Sequence, residues 1–227
     1  MDEPTPRPRR ALPARVSTGT GPSPRRAAAV WDERYREPGF AYGTAPNDFL
    51  VAVAERLPAQ GRVLCLGEGE GRNAVWLAAR GHTVHAVDLS AVGLDKAQRL
   101  AAARGVAITT ERADLAGWDL GRGRWDAIVS IFCHLEPAAR RAVHAAVAEA
   151  LRPGGAFVLE AFAPHDGAAA PDRGAEPAAL HLGLDDARAE LGALFLPIAR
   201  KVVRGVFEGR CHAGPRAVVQ VLASRPR

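Results

Sequence analysis

Three glycines at alternate positions, Gly67, Gly69 and Gly71, follow the apolar run Val63-Leu64-Cys65-Leu66 and are interleaved with Glu68 and Glu70. Such a segment can bind a ligand through its backbone, because glycine takes positive φ without steric cost and lets a ligand approach the chain closely. The helix expected to start at Arg72 adds free N–H groups at the same place. A dinucleotide fingerprint G-x-G-x-x-G begun at Gly67 would put its third glycine at Arg72, and two carboxylates in the loop would repel a pyrophosphate. Acidic side chains suit a cationic ligand instead.

Asp88 lies 19 residues beyond Gly69, at the end of the next apolar run, where a carboxylate accepts both hydroxyls of a ribose. Asp114 and Leu115 follow a third run, so that a carboxylate and a backbone N–H can bracket an adenine. A sulfonium with an amino-acid tail on an unphosphorylated adenosine, S-adenosylmethionine, matches the three places together. The candidate cofactor contacts are Gly67, Glu68, Gly69, Gly71, Arg72, Asn73, Asp88, Leu89, Asp114, Leu115, Ile131 and Tyr42. Tyr35, Phe40 and Tyr42, upstream of the loop, are expected to close over the cofactor rather than only pack a helix.

Positioning these residues requires alternating strands and helices. Helical pieces are expected over residues 31–36 and 47–57, the second with Phe49, Leu50, Val53 and Leu57 on one face. Strands follow at 62–66, 82–87, 106–111, 125–132 and 156–162, with helices at 72–80, 91–104 and 136–152, the last stopped by Pro153 and Gly154. Residues 163–177 read as a Pro- and Gly-bearing loop of the length that lids and binding segments have. A helix near 184–194 precedes two β-rich runs, 197–207 and 217–223, that form a hairpin. This alternation implies an α/β fold, a parallel sheet covered by helices on both faces and ended by an antiparallel hairpin.

Charge and composition exclude several function classes. The 227 residues carry 30 Lys and Arg against 25 Asp and Glu, a formal net charge of +5. Six Arg against Asp2 and Glu3 place +4 of it in residues 1–30, leaving 24 basic and 23 acidic groups beyond. Residues 1–30 also hold six of the 17 prolines and are expected to be a disordered Arg/Pro-rich tail, with residues 31–227 forming one domain. The near-neutral domain argues against a nucleic-acid partner, and no apolar run is long enough to span a bilayer. Three cysteines, an odd number without a C-x-x-C, fit reduced thiols and a cytoplasmic location, and their spacing to histidine suits no metal site.

The series Val-Leu-Cys-Leu-Gly-Glu-Gly-Glu-Gly-Arg-Asn, Val-His-Ala-Val-Asp-Leu-Ser, Arg-Ala-Asp-Leu, Asp-Ala-Ile-Val-Ser-Ile-Phe and Leu-Arg-Pro-Gly-Gly resembles that of class I S-adenosylmethionine-dependent methyltransferases, in order and spacing, over residues 31–227. Gly-Arg-Asn at 71–73, Trp-Asp-Glu-Arg-Tyr at 31–35 and Tyr-Gly-Thr-Ala-Pro at 42–46 are similar to the small tellurite-resistance and thiopurine-like members. The resemblance implies a Rossmann-like, seven-stranded, mostly parallel sheet whose last strand is antiparallel. One departure stands out. Members usually carry Asp or Glu where Cys65 stands and Gly-Cys-Gly where Gly67, Glu68 and Gly69 stand, so Glu68 is the candidate to meet the methionine amino group.

Methyl transfer needs in-line positioning, a dry site and, for oxygen or nitrogen acceptors, a base. His134 and Cys133 follow the fourth strand, Glu160 and His165 flank the end of the fifth, and the resemblance points at Arg210 and His212 in the late hairpin connection. His134, Arg210 and His212 are therefore the catalytic candidates. Residues 131–135 read Ile-Phe-Cys-His-Leu, without the Asp-Pro-Pro-Tyr or Pro-Cys motifs of base methylation, so a small-molecule acceptor is expected. The resemblance suggests a thiol or a chalcogen oxyanion. Two alternatives stay open, an NAD-dependent oxidoreductase and a cofactor-binding module without turnover.

Overall fold

The computed structural model describes residues 23–164 and 177–227. Residues 1–22 of the expected tail, and residues 165–176 of the expected loop with His165, lie outside them. Helix α1 (Pro24–Arg36) and helix α2 (Asp48–Val53), continued by one 3₁₀ turn (Ala54–Arg56), precede the sheet. Then come β1 (Arg62–Leu66), α3 (Arg72–Ala79), β2 (Thr83–Asp88), α4 (Ala91–Ala103), β3 (Thr109–Arg112), β4 (Trp125–Ile131), α5 (Pro137–Ala150) and β5 (Leu151–Phe162). A 3₁₀ turn (Ala178–Leu180), α6 (Leu184–Glu190), β6 (Phe195–Glu208) and β7 (His212–Ser224) complete the chain.

The seven strands lie in the order β3-β2-β1-β4-β5-β7-β6. The first five pair in parallel, whereas β7 runs antiparallel to both β5 and β6. Alternation along the strands divides the core in two. Val63 and Cys65 face one side with Ala74 and Leu77 of α3 and Ala97 and Leu100 of α4. Leu64 and Leu66 face the other, with Val143 and Val147 of α5 and Ala187 of α6. Helices thus cover both faces, and the strand order changes direction between β1 and β4, where open α/β sheets bind ligands at the C-terminal ends.

Of the boundaries that differ from expectation, three bear on the site. Helix α1 starts at Pro24 rather than at residue 31, so residues 24–30 are helical and not part of a tail. Proline is no breaker there: at the first turn its missing N–H has no intrahelical partner to lose. Ala28 and Tyr35 are the buried face of this helix. Strand β5 begins at Leu151, because a register shift opposite Trp125 and Ala127 absorbs Pro153 and Gly154 within the ladder. Strands β6 and β7 extend to within three residues of each other, so Glu208 and His212 are cross-strand partners instead of loop residues.

Candidate cofactor and acceptor site

Gly67, Gly69 and Gly71 have φ values of +58°, +62° and +89°, and each is closely approached. A Cβ on Gly67 would stand 2.6 Å from Cys133 Sγ, one on Gly69 2.5 Å from the Tyr35 hydroxyl, and one on Gly71 2.7 Å from Ala97 Cα. The turn therefore needs glycine for both conformation and space. The two acidic side chains fold back into the protein. Glu68 Oε1 accepts from the Asn73 and Ala74 amides at 2.9 and 2.8 Å, capping the N-terminus of α3, and the carboxyl is also bonded to the Cys65 side chain. Burial pushes Glu68 up to about 7 against these amides and the Arg72 charge. Glu70 accepts from the Ala41 amide at 2.7 Å and from Lys96 at 2.9 Å, so it ties down the segment after α1 and does not add a free charge to the crevice.

Asp88 closes the loop from β2. Its Oδ2 accepts from Gly69 N at 2.8 Å and its Oδ1 from Ser90 N at 2.7 Å. Burial raises it to about 6 despite those two amides. Helix α1 crosses the same strand ends: Asp32 accepts from the Ser90 hydroxyl at 2.5 Å, and the Tyr35 ring lies against Gly93. Leu89 is half-buried beside Asp88, and Ile131 is buried at the end of β4. Asp114 Oδ1 accepts from Ala116 N at 3.0 Å, so the carboxyl caps its own turn, while the Leu115 side chain lies in the core.

Beyond β4 the rings gather. Trp31 stacks on His134 with centroids 6.0 Å apart, His134 on Phe162 at 5.8 Å, and Phe162 on Phe132 at 4.5 Å. His212 sits edge-on to Phe132 and Phe162 at 5.1 and 5.2 Å and tilted against Tyr42 at 4.6 Å. Phe132 holds this place with φ +50°, a left-handed conformation costly for a bulky residue, so packing around it must fix the turn. Burial, with His212 and Arg34 nearby, pushes His134 down to about 3, which keeps it neutral at physiological pH.

His212 has the more reactive geometry. Its Nδ1 lies 3.0 Å from Glu208 Oε2, and its buried Nε2 finds no hydrogen-bond partner among the described residues. Burial alone would raise the Glu208 carboxyl, but the His212 bond and the Arg72 guanidinium outweigh it and hold it at about 2. An ionised carboxylate only accepts, so Nδ1 donates, and the neutral tautomer that this bond selects has its lone pair on Nε2. Glu208 is fixed in turn by Arg72 at 2.7 Å and Asn47 at 3.0 Å. Asn47 caps α2 through Phe49 N and Leu50 N and donates to Glu160 Oε2 at 2.6 Å.

The structure brings His134, His212 and Tyr42 together, next to the glycine loop and Asp88. Two candidates have side chains engaged within the protein. Arg210 bonds the carbonyls of Arg34 and Pro38 and pairs with Glu37 at 2.9 Å, so it clamps the end of α1 and leaves the ring cluster without its charge. The Arg72 side chain turns under the loop to Glu208 rather than toward a ligand. Asn73 Oδ1 likewise accepts from Asn47 N at 2.9 Å. Of the upstream aromatics, Phe40 is partly buried against the core and has Lys96 Nζ 5.8 Å from its ring centroid. Residues not singled out include Glu208, Trp31, Phe132 and Phe162. The four-residue spacing of Glu208 and His212 around Gly209 was the one available signal for the dyad.

These carboxyls set opposing pH dependences. Asp88 and Glu68 are raised, to about 6 and about 7, so their contribution to folding is full at acid pH and lost as pH rises through those values. Glu208 and Glu190 are lowered to about 2, and theirs is lost as pH falls below about 4.5. Thermal melts of the unliganded chain should therefore peak near about pH 4.5, where the gain from Glu208 and Glu190 levels off and the loss from Asp88 and Glu68 sets in; a monotonic rise to pH 8 would contradict the burial of Asp88 and Glu68.

Residues 63–155 match the family model described as a methyltransferase domain. The chain is 36% identical over 136 residues to the tRNA 5-carboxymethoxyuridine methyltransferase of Escherichia coli K12, covering 55% of this chain and 52% of that protein. It is 28% identical over 120 residues to the 2-heptyl-1-hydroxyquinolin-4(1H)-one methyltransferase of Mycobacteroides abscessus, covering 52% and 53%. The chain thus spans about half the length of these curated relatives. TehB from Haemophilus influenzae shares the fold of the methyltransferase domain with a TM-score of 0.65, 18% identity and coverage of 78% of this chain and 61% of that one. S-adenosylmethionine is the cofactor that the matched family model implies, and the loop fits it through the left-handed backbone of Gly67, Gly69 and Gly71 and the Asp88 carboxylate held against Gly69 N, the space beside the glycines being filled by Cys133, Tyr35 and Ala97.

Proposed function

We propose that the chain transfers a methyl group from S-adenosylmethionine to a small-molecule acceptor. The observation that carries this reading is the junction of the glycine loop and Asp88 with a buried ring cluster that holds an imidazole nitrogen without a partner among the described residues. When bound, the cofactor supplies an electrophilic methyl group on a sulfonium. The backbone of Gly67–Gly71 lets the amino-acid tail lie close, Asp88 accepts from the ribose, and Asp114 and Leu115 flank the base. Leu89 and Ile131 line the apolar side of the same crevice, and Tyr42 closes it. Trp31, Phe132, His134 and Phe162 exclude water, which strengthens every electrostatic contact at the reacting atoms.

A small acceptor is favoured over nucleic acid by the near-neutral charge of residues 31–227, although one relative is named for a tRNA substrate. Thiols fit the apolar ring cluster. A chalcogen oxyanion fits less well, because Arg210 is engaged at α1, Arg72 by Glu208 and Arg204 by Glu160. The deciding assay is S-adenosylhomocysteine release over thiols, chalcogen oxyanions, amines, phenols and tRNA. Turnover with a small acceptor supports the reading; cofactor binding without turnover on any of them would favour a binding module, and turnover on tRNA alone would replace the acceptor class.

Glu68 separates two roles. In Glu68→Gln the amide oxygen still caps α3, so melting at pH 8 should hold or rise, since no charge is then buried. If the carboxylate also meets the cofactor amino group, affinity should fall roughly tenfold, the loss of one charge-assisted bond. Unchanged affinity by equilibrium dialysis would confine Glu68 to capping.

A further inference from the structure

We infer that the acceptor is a planar ring compound bearing an acidic hydroxyl, seated among the rings of Trp31, Phe132, His134 and Phe162, and that His212, held by Glu208, removes the hydroxyl proton. This rests on the methyl-transfer reading above and names its substrate class.

Two independent features support it. The first is the ring cluster around His212: stacked and edge-on rings with centroids 4.5 to 6.0 Å apart, brought together from α1 and from the ends of β4, β5 and β7. Such surfaces favour another π face over a hydrated ion. The second is the orphan nitrogen. His212 is 4% exposed, and an unpaired Nε2 in such a place calls for a donor from outside the described residues. An acidic hydroxyl supplies one and becomes the nucleophile when it is lost. An oxyanion supplies no proton, and the Arg72 and Arg204 guanidiniums are matched by Glu208 and Glu160.

The step balances. The hydroxyl proton moves to Nε2, the oxygen pair forms the O–CH3 bond, and the C–S bond breaks with its pair kept by sulfur, turning sulfonium into thioether. One positive charge leaves sulfur and one appears on the imidazole, where Glu208 neutralises it. Glu208 is a positioning residue: it fixes the Nδ1–H tautomer and stabilises the imidazolium.

The test uses the full chain with 7-hydroxycoumarin, an arylamine, dithiothreitol and tellurite as acceptors. The hydroxycoumarin should be O-methylated in preference to the rest. His212→Gln should lower its kcat by about 10²- to 10⁴-fold with little change in KM. Glu208→Gln should lower kcat less, and both losses should shrink as pH rises through the acceptor's own pKa. The charged and titratable groups facing His212 are Glu208, His134 and Tyr42 and, through these, Arg72, Arg204 and Arg34. Without any cofactor, the excitation spectrum of bound hydroxycoumarin should show more phenolate with the native chain than with His212→Gln. Preference for tellurite, dithiothreitol or the arylamine, or a native spectrum identical to that in buffer, would overturn the substrate class while leaving methyl transfer intact. No measurable S-adenosylmethionine binding would remove the underlying reading itself.

Discussion

Glu160→Ala should destabilise the fold by about 3–5 kcal/mol, the cost of breaking a buried ion pair from one side. Glu160 has no exposed surface, and its two oxygens accept from Arg204 Nε at 2.9 Å, Gln220 Nε2 at 2.7 Å, Arg204 Nη2 at 2.5 Å and Asn47 Nδ2 at 2.6 Å. Alanine leaves a guanidinium and two amide donors without that partner. Asn47 would then hold Glu208 less firmly, so the orientation of His212 should loosen as well. A chain of this length loses roughly 2–4 °C of melting temperature per kcal/mol, so a drop of about 6–20 °C is expected. Glu160→Gln keeps the shape and both acceptor positions in part, and should lose less. A melting shift under about 2 °C for the alanine variant would show that the network is not what joins β5, β6 and α2.

Asp88→Asn should cost cofactor affinity about 10²-fold, with folding less affected. Both oxygens of Asp88 are needed: one accepts from Gly69 N and the other from Ser90 N. An amide offers one oxygen, and its NH2 group would face one of those N–H donors. Gly69 loses its anchor or Ser90 its turn, and the ribose loses a charge-assisted acceptor worth about 1.5–3 kcal/mol. In the native chain the same carboxyl, raised to about 6 by burial, should make affinity fall as pH drops through that value, because a protonated acid accepts less well. Equilibrium dialysis at pH 8 and pH 5.5 reads both effects. Equal affinity of the variant and native chains would remove Asp88 from the site.

The sequence made the local features plain. An apolar strand, alternating glycines and the helix from Arg72 are encoded within some 17 residues, and β1 and α3 start where periodicity places them. Asp88 was found because strand ends and turn residues are neighbours in sequence. What escaped was long-range. Arg72 reads as a cofactor contact at the start of a helix, yet its partner Glu208 lies 136 positions away. The Glu208–His212 pair depends on how far β6 and β7 extend, and strand ends are set by pairing more than by composition. Arg210 and His212 are two residues apart and looked equivalent. Only the hairpin geometry sends one to the end of α1 and the other among the rings. Pro24 misled for a different reason: proline breaks helices in their interior but suits their first turn.

The domain boundary follows from α1. We propose that the independently folding unit begins near Pro24, since Asp32 and Tyr35 of that helix contact Ser90, Gly69 and Gly93. A truncation at residue 30 would cut the helix that crosses the site.

The most direct measurement is a calorimetric titration of the full chain with S-adenosylmethionine and, separately, with NAD. The account predicts saturable, one-to-one binding of S-adenosylmethionine that is sharply weakened in Asp88→Asn, with no comparable heat from NAD. Tighter binding of NAD, or binding of S-adenosylmethionine that is indifferent to Asp88, would contradict it.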